Sequence, residues 1–114
     1  MRVTKTMRDD VAVVALSGSL NCGNGDEELQ RLMADLERQG HVKIVLDVTQ
    51  VSHIDTTCLG LLIGARMRLV RLGGGLHLIA PSYFLYVLEI AKLKTVLVTF
   101  GSEEEAVRAF AAAA

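Results

Sequence analysis

Two hydrophobic periods take turns along this chain, and few folds accommodate that exchange. Short β-branched runs at Val11–Leu16, His41–Val48, Leu76–Ala80 and Thr95–Phe100 have the length and composition of strands. Between them, apolar residues recur at helical spacing. Leu29, Leu32, Met33 and Leu36 fall at i, i+3, i+4, i+7, with Asp26, Glu27 and Glu28 in the first turn and Gly40 at the end. A second helix is expected from about Thr56 to Leu72, with Leu59, Leu62, Ile63, Met67 and Val70 on one side, stopped by Gly73-Gly74-Gly75. Pro81-Ser82 opens a third helix carrying Phe84, Val87, Leu88 and Ala91. Ser102 and Glu105 form a capping box for a last one with Val107 and Phe110.

Ahead of these, Val3–Met7 alternates weakly and Arg8-Asp9-Asp10 reads as a turn, so the chain starts with a hairpin. Gly18 to Gly25 and Thr49 to Asp55 read as polar loops, and the Ala111–Ala114 tail as a fraying helix end. The expected order is ββαβαβαβα. Strands alternating with helices imply right-handed parallel crossovers, so the fold class is α/β, a mostly parallel mixed sheet with one antiparallel edge and helices packed on it. No linker or repeat interrupts residues 1–114, which suits one domain of ordinary size.

Composition then removes whole classes of function. Twelve Lys and Arg against 13 Asp and Glu give a net charge of −1, with no basic block, which disfavours direct nucleic-acid binding. The longest apolar stretch, Cys58 to Ala65, is far short of the ~20 residues of a membrane span. The first residues lack a signal-peptide core, so a cytoplasmic location is expected, where Cys22 and Cys58 are thiols. His41, His53 and His77 have no metal-ligand spacing, and neither glycine cluster has the phosphate-cradling pattern, so no metal or cofactor is expected.

Reactive side chains are densest at Ser52-His53-Ile54-Asp55-Thr56-Thr57-Cys58. This segment follows a strand and opens a helix, the position where parallel sheets place function. Capping alone is reason enough for Asp55 or Thr56. Ser52, His53 and Asp55 make a poor catalytic triad, being sequence neighbours without a nucleophile elbow. Cys58 is either a thiol activated by the helix N-terminus or a small buried residue, and burial is the commoner case. On the third helix, Tyr83, Tyr86 and Ile90 form a second apolar stripe, which implies deep burial or a partner surface.

The stretch from Leu46 to Gly64, L-D-V-T-Q-V-S-H-I-D-T-T-C-L-G-L-L-I-G, resembles the STAS family of anti-sigma factor antagonists. Ser17-Gly18-Ser19-Leu20-Asn21 is similar to the family's early T-G-E-L-D, Gly73–Leu78 to its G-G-x-L-x-L strand, and Ser102–Ala106 to the start of its last helix. The resemblance implies a STAS fold and no enzymatic activity. It implies binding, in the unmodified state, to an anti-sigma factor that is also a Ser/Thr kinase, release on phosphorylation, and resetting by a phosphatase. By position Thr57 is the acceptor. Asn21, Asp55, Thr56, Thr57 and Cys58, with Tyr83 and Tyr86, are the expected partner-binding residues of a monomer or weak dimer. Three positions depart from the pattern: Cys58 stands for Gly, Asn21 for Asp, and Thr57 for the commoner Ser. Two alternatives stay open. One is a non-phosphorylated STAS module of a lipid-transport ABC complex or an anion transporter, and the other a thiol enzyme built on Cys58.

Overall fold

The computed structural model describes residues 1–21 and 23–112, without the side chain of Ala112. Cys22, expected to be a thiol, and the end of the alanine tail lie outside the described residues. The elements are β1 (Arg2–Arg8), β2 (Val11–Leu20), α1 (Asp26–Arg38), β3 (Lys43–Ile54), α2 (Thr56–Arg71), β4 (Gly75–Ile79), α3 (Ser82–Ile90), β5 (Val98–Phe100) and α4 (Glu103–Ala112). This is the ββαβαβαβα order expected. The five strands form one sheet in sequence order, β1 antiparallel to β2 and the rest parallel.

Period-two alternation divides the core between the two faces of the sheet. Ala12, Val14, Leu16, Ile44, Leu46, Leu76 and Leu78 meet the buried residues of α1, α2 and α3 on one face. Val11, Val13, Val45 and Ile79 meet Ala106 and Phe110 of α4 on the other. The α4 start is capped as expected, the Glu105 amide donating to Ser102 Oγ at 3.1 Å.

Both loops expected beside the candidate site are strand. β2 continues to Leu20 and β3 to Ile54. The cause is two register shifts against β2. Ala15 and Ser17 pair with Asp47 and Gln50, and Gly18 and Ser19 with Val51 and His53, so β3 carries one extra residue at each step. Its buried residues consequently change beat from Ile44-Val45-Leu46 to Val48, Val51 and Ile54. An apolar residue every third position between polar pairs is the signature of neither strand nor helix.

In α2 the buried stripe is Cys58, Leu59, Leu62, Ala65 and Leu69, rotated from the expected one, so that Met67 and Val70 face water. In α3 only Phe84 and Leu88 are buried, and the expected core residues Val87 and Ala91 are exposed. β5 starts at Val98, later than expected, because the amides of Val96 and Leu97 both donate to the Leu93 carbonyl and hold that segment as a turn.

Candidate functional site

β3 runs directly into α2, and Asp55 is the junction. Its backbone is extended (φ −108°, ψ 177°) and its carboxylate accepts the Cys58 amide at 3.0 Å, an N-cap. Its carbonyl receives the first helical bond, from the Leu59 amide at 3.0 Å. The amides of Thr56 and Thr57 have no acceptor among the described residues, and both side chains are exposed. The first turn of α2 contains no acid. Thr56 and Thr57 thus present two hydroxyls beside two outward N–H groups, at the positive end of a helix of 16 residues.

β2 holds this junction from the side. The Asp55 amide donates to the Leu20 carbonyl at 3.0 Å, next to Asn21. Asn21 is half-buried and exchanges both backbone hydrogen bonds with Asn24 at 2.9 Å. Asn21 and Asp55 therefore sit on adjoining segments, as the resemblance requires. Gly25, which the sequence reading did not single out, makes this tight return possible. It has φ +88°, and a Cβ there would lie 2.5 Å from the Ser19 carbonyl oxygen. The available signal was a glycine immediately before three acids that open a helix.

Ser52 and His53 are exposed along the same edge. Ser52 Oγ donates to the Gly18 carbonyl at 3.3 Å and lies 3.4 Å from Ser19 Oγ. Among the described residues no hydrogen bond joins Ser52 to His53, so the triad arrangement is not formed. Tyr83 of α3 reaches the same edge, its hydroxyl donating to the Val51 carbonyl, and burial pushes its phenol pKa up. Tyr86 points to solvent.

One expectation is corrected. Cys58 has no exposed surface and packs in the main core with Leu59 and Leu62. It is the third residue of α2 and its side chain is turned toward the sheet, whereas Thr56 and Thr57 are turned outward. Neither a partner nor a substrate reaches its sulfur in this conformation, which removes it from the partner-facing residues and from use as an exposed nucleophile. Among the described residues no group of His, Cys, Asp and Glu is placed to hold a metal ion.

A family model described as the STAS domain matches residues 2–106. No curated protein matches the sequence. Among solved structures, an anti-sigma factor antagonist from Mycobacterium paratuberculosis superposes with a TM-score of 0.86 at 16% identity, covering 96% of this chain and 93% of that one. The Bacillus cell fate determinant SpoIIAA, solved in its phosphorylated form, gives 0.69 at 23% identity over 94% and 97% of the two chains. The murine solute carrier 26 family member A9 anion transporter gives 0.75 at 18% identity, covering 90% of this chain but 18% of the transporter. Among the described residues no helix is long and apolar enough to cross a membrane. The sheet order, the capped strand-to-helix junction and the family match over nearly the whole length agree: this chain belongs to the STAS domain family.

Proposed function

We propose that the protein is an anti-sigma factor antagonist whose binding to an anti-sigma factor with Ser/Thr kinase activity is ended by phosphorylation of Thr57. The observation that carries this reading is the exposure of Thr57 at the uncapped, acid-free start of α2, beside the Asp55 cap and Asn21. A kinase needs the hydroxyl accessible, and the domain needs to tolerate the product. A phosphate adds about −1.5 to −2 charge, which the amides of Thr56 and Thr57 and the helix dipole favour. The same dianion desolvated against a partner is strongly disfavoured. Weakening a complex from nanomolar to micromolar takes ~4 kcal/mol, within reach of one unpaired buried charge. Binding is lost while the fold persists.

In this reading Asn21, Asp55 and Thr56 frame the partner contact. Tyr83 flanks it through its bond to Val51, with Tyr86 farther along the same helix. A phosphatase resets the state.

The test is incubation with the cognate kinase, ATP and Mg²⁺, then localisation of the modification. One phosphate at Thr57 is expected, with Thr57→Ala still binding the anti-sigma factor and Thr57→Glu failing to bind. Unmodified protein, with both variants binding equally, refutes the switch. The likeness to a transporter's domain supports a second reading, a constitutive STAS module. Stable co-purification with a transport ATPase or a permease, unchanged by Thr57→Glu, would establish it.

A further inference from the structure

Among the described residues, the five most exposed large apolar side chains are Met67 (55%), Val70 (47%), Leu72 (61%), Tyr86 (56%) and Ile90 (67%). All lie at or beyond the midpoints of α2 and α3. These helices cover the same face of the sheet and run back toward the end where β4 and β5 begin, because the strands they connect are parallel. The side chains thus gather at the end of the helical layer away from Thr57. None belongs to either hydrophobic core. An open groove of about 430 Å³ runs along Tyr86, Glu89 and Ile90.

The charge around this surface is one-sided. Arg71 ends α2, and Lys92 and Lys94 follow α3, all three exposed and without an ion pair among the described residues. Glu89 is the acid in the groove. Apolar area with a cationic rim calls for an apolar occupant with an anionic rim. A second copy of this chain does not supply that, since two-fold docking of the patch on itself opposes like charges. An anionic bilayer fits less well, because it would press against the Glu89 carboxylate between Tyr86 and Ile90.

We propose that the C-terminal halves of α2 and α3 form a second docking surface, for an amphipathic helix with acidic flanks on a protein partner, independent of the state of Thr57. The independence follows from distance. Met67 is ten residues beyond Thr57 on α2, about 15 Å along the axis. A phosphate at Thr57 is then beyond the ~8 Å screening length of physiological salt. The protein would hold one partner constitutively while releasing another on phosphorylation.

The test is photo-cross-linking of the full chain in its source cells, with Ile90→p-benzoyl-phenylalanine and sequencing of the linked segment. The expected product is one acidic amphipathic segment, formed in equal yield in a Thr57→Glu background and reduced at least about tenfold by Met67→Glu or Tyr86→Glu. Both positions are exposed, and unchanged thermal melting of each variant confirms that loss of cross-linking is not loss of fold. Linkage to lipid, to a second copy or to a segment without acids, or no linkage at all, overturns the proposal. So does disappearance of the product with Thr57→Glu, which would merge this surface with the phosphorylation-controlled one. The same reagent placed at Thr56 reports on the Thr57 interface separately, so either reading can fail alone.

Discussion

Replacing Thr57 with Glu separates loss of a partner from loss of fold. Thr57 is the second residue of α2, exposed, with an uncommitted amide of its own and of Thr56 beside it, and no acid already occupies that first turn. A carboxylate there gains ~0.3–1 kcal/mol from the helix dipole at low salt. Glu is also the better helix former than Thr, so Thr57→Gln is the necessary neutral control. For a domain of this size 1 kcal/mol moves the melting temperature by about 4 °C, so Thr57→Glu is expected to melt ~1–4 °C above Thr57→Gln. The difference shrinks in 1 M salt, where the screening length is about 3 Å. Melting followed by circular dichroism at low and high salt measures both quantities. A Thr57→Glu protein that melts below Thr57→Gln, or a gap indifferent to salt, refutes the account of α2 as a receptive anion site. Phosphorylation would then act by disturbing the domain instead of its interface.

Three further outcomes follow from the packing and the charges. Gly74→Ala is expected to destabilise by more than ~2 kcal/mol, because its Cβ would lie 1.7 Å from the Val42 carbonyl oxygen that binds the Gly75 amide. Gly73→Ala meets nothing within 4 Å and carries only the strain of φ +87°, ~1–2 kcal/mol, so denaturant unfolding that ranks the pair the other way contradicts the geometry. On α3, Phe84→Ala is expected to cost ~3–5 kcal/mol and Tyr86→Ala within ~0.5 kcal/mol of nothing, since Phe84 is fully buried and Tyr86 is not. Equal costs would show that α3 is not seated as described. His77 is half-buried, stacked on Phe110 at 3.7 Å and bonded through Nδ1 to the Ala106 carbonyl at 2.8 Å. Burial pushes its pKa below 6.5, aided by the charge of Arg66 and opposed by that hydrogen bond. The unfolded chain therefore binds this proton more readily than the native one. The contribution is complete above pH 6.5 and lost as pH falls through the native value, so His77→Gln should flatten the decline in melting temperature on acidification. A variant that declines as steeply as the parent would remove His77 as its source.

What the sequence disclosed and what it hid have a common physical origin. Strands with strict alternation or unbroken β-branched runs, and the caps and glycines that bound each helix, were legible because each is a local signal. The end of β3 was not, since bulges against β2 reset its side-chain beat and left Thr49-Gln50 and Ser52-His53 looking like loop. The α2 stripe was misjudged for a related reason. Ile63 is partly buried against the core, but Met67 and Val70, spaced to follow it, turn away. Sequence spacing does not reveal that Ala65 and Leu69 face the sheet instead. At the candidate site, Asp55 as a cap was evident from residue type. The inward turn of Cys58 depended on which residue starts the helix, and the contact from Asp55 to Leu20 on where β2 stops.

The two bulges of β3 also settle how this segment tolerates changes in length. Polar stretches between a strand and a helix ordinarily accept insertions and deletions, and Thr49 to Asp55 has that composition. Here the count is fixed, because Val48, Val51 and Ile54 reach the core only with one surplus residue at each step against β2. Deleting Ser52 would close the second bulge and draw Asp55 back by one place. Each residue of a helix turns ~100°, so α2 would have to restart a third of a turn out of phase. Thr57 would then rotate toward the sheet and Cys58 toward water. The number of residues between Asp47 and Asp55, as much as their identity, decides which side chain is offered at the surface.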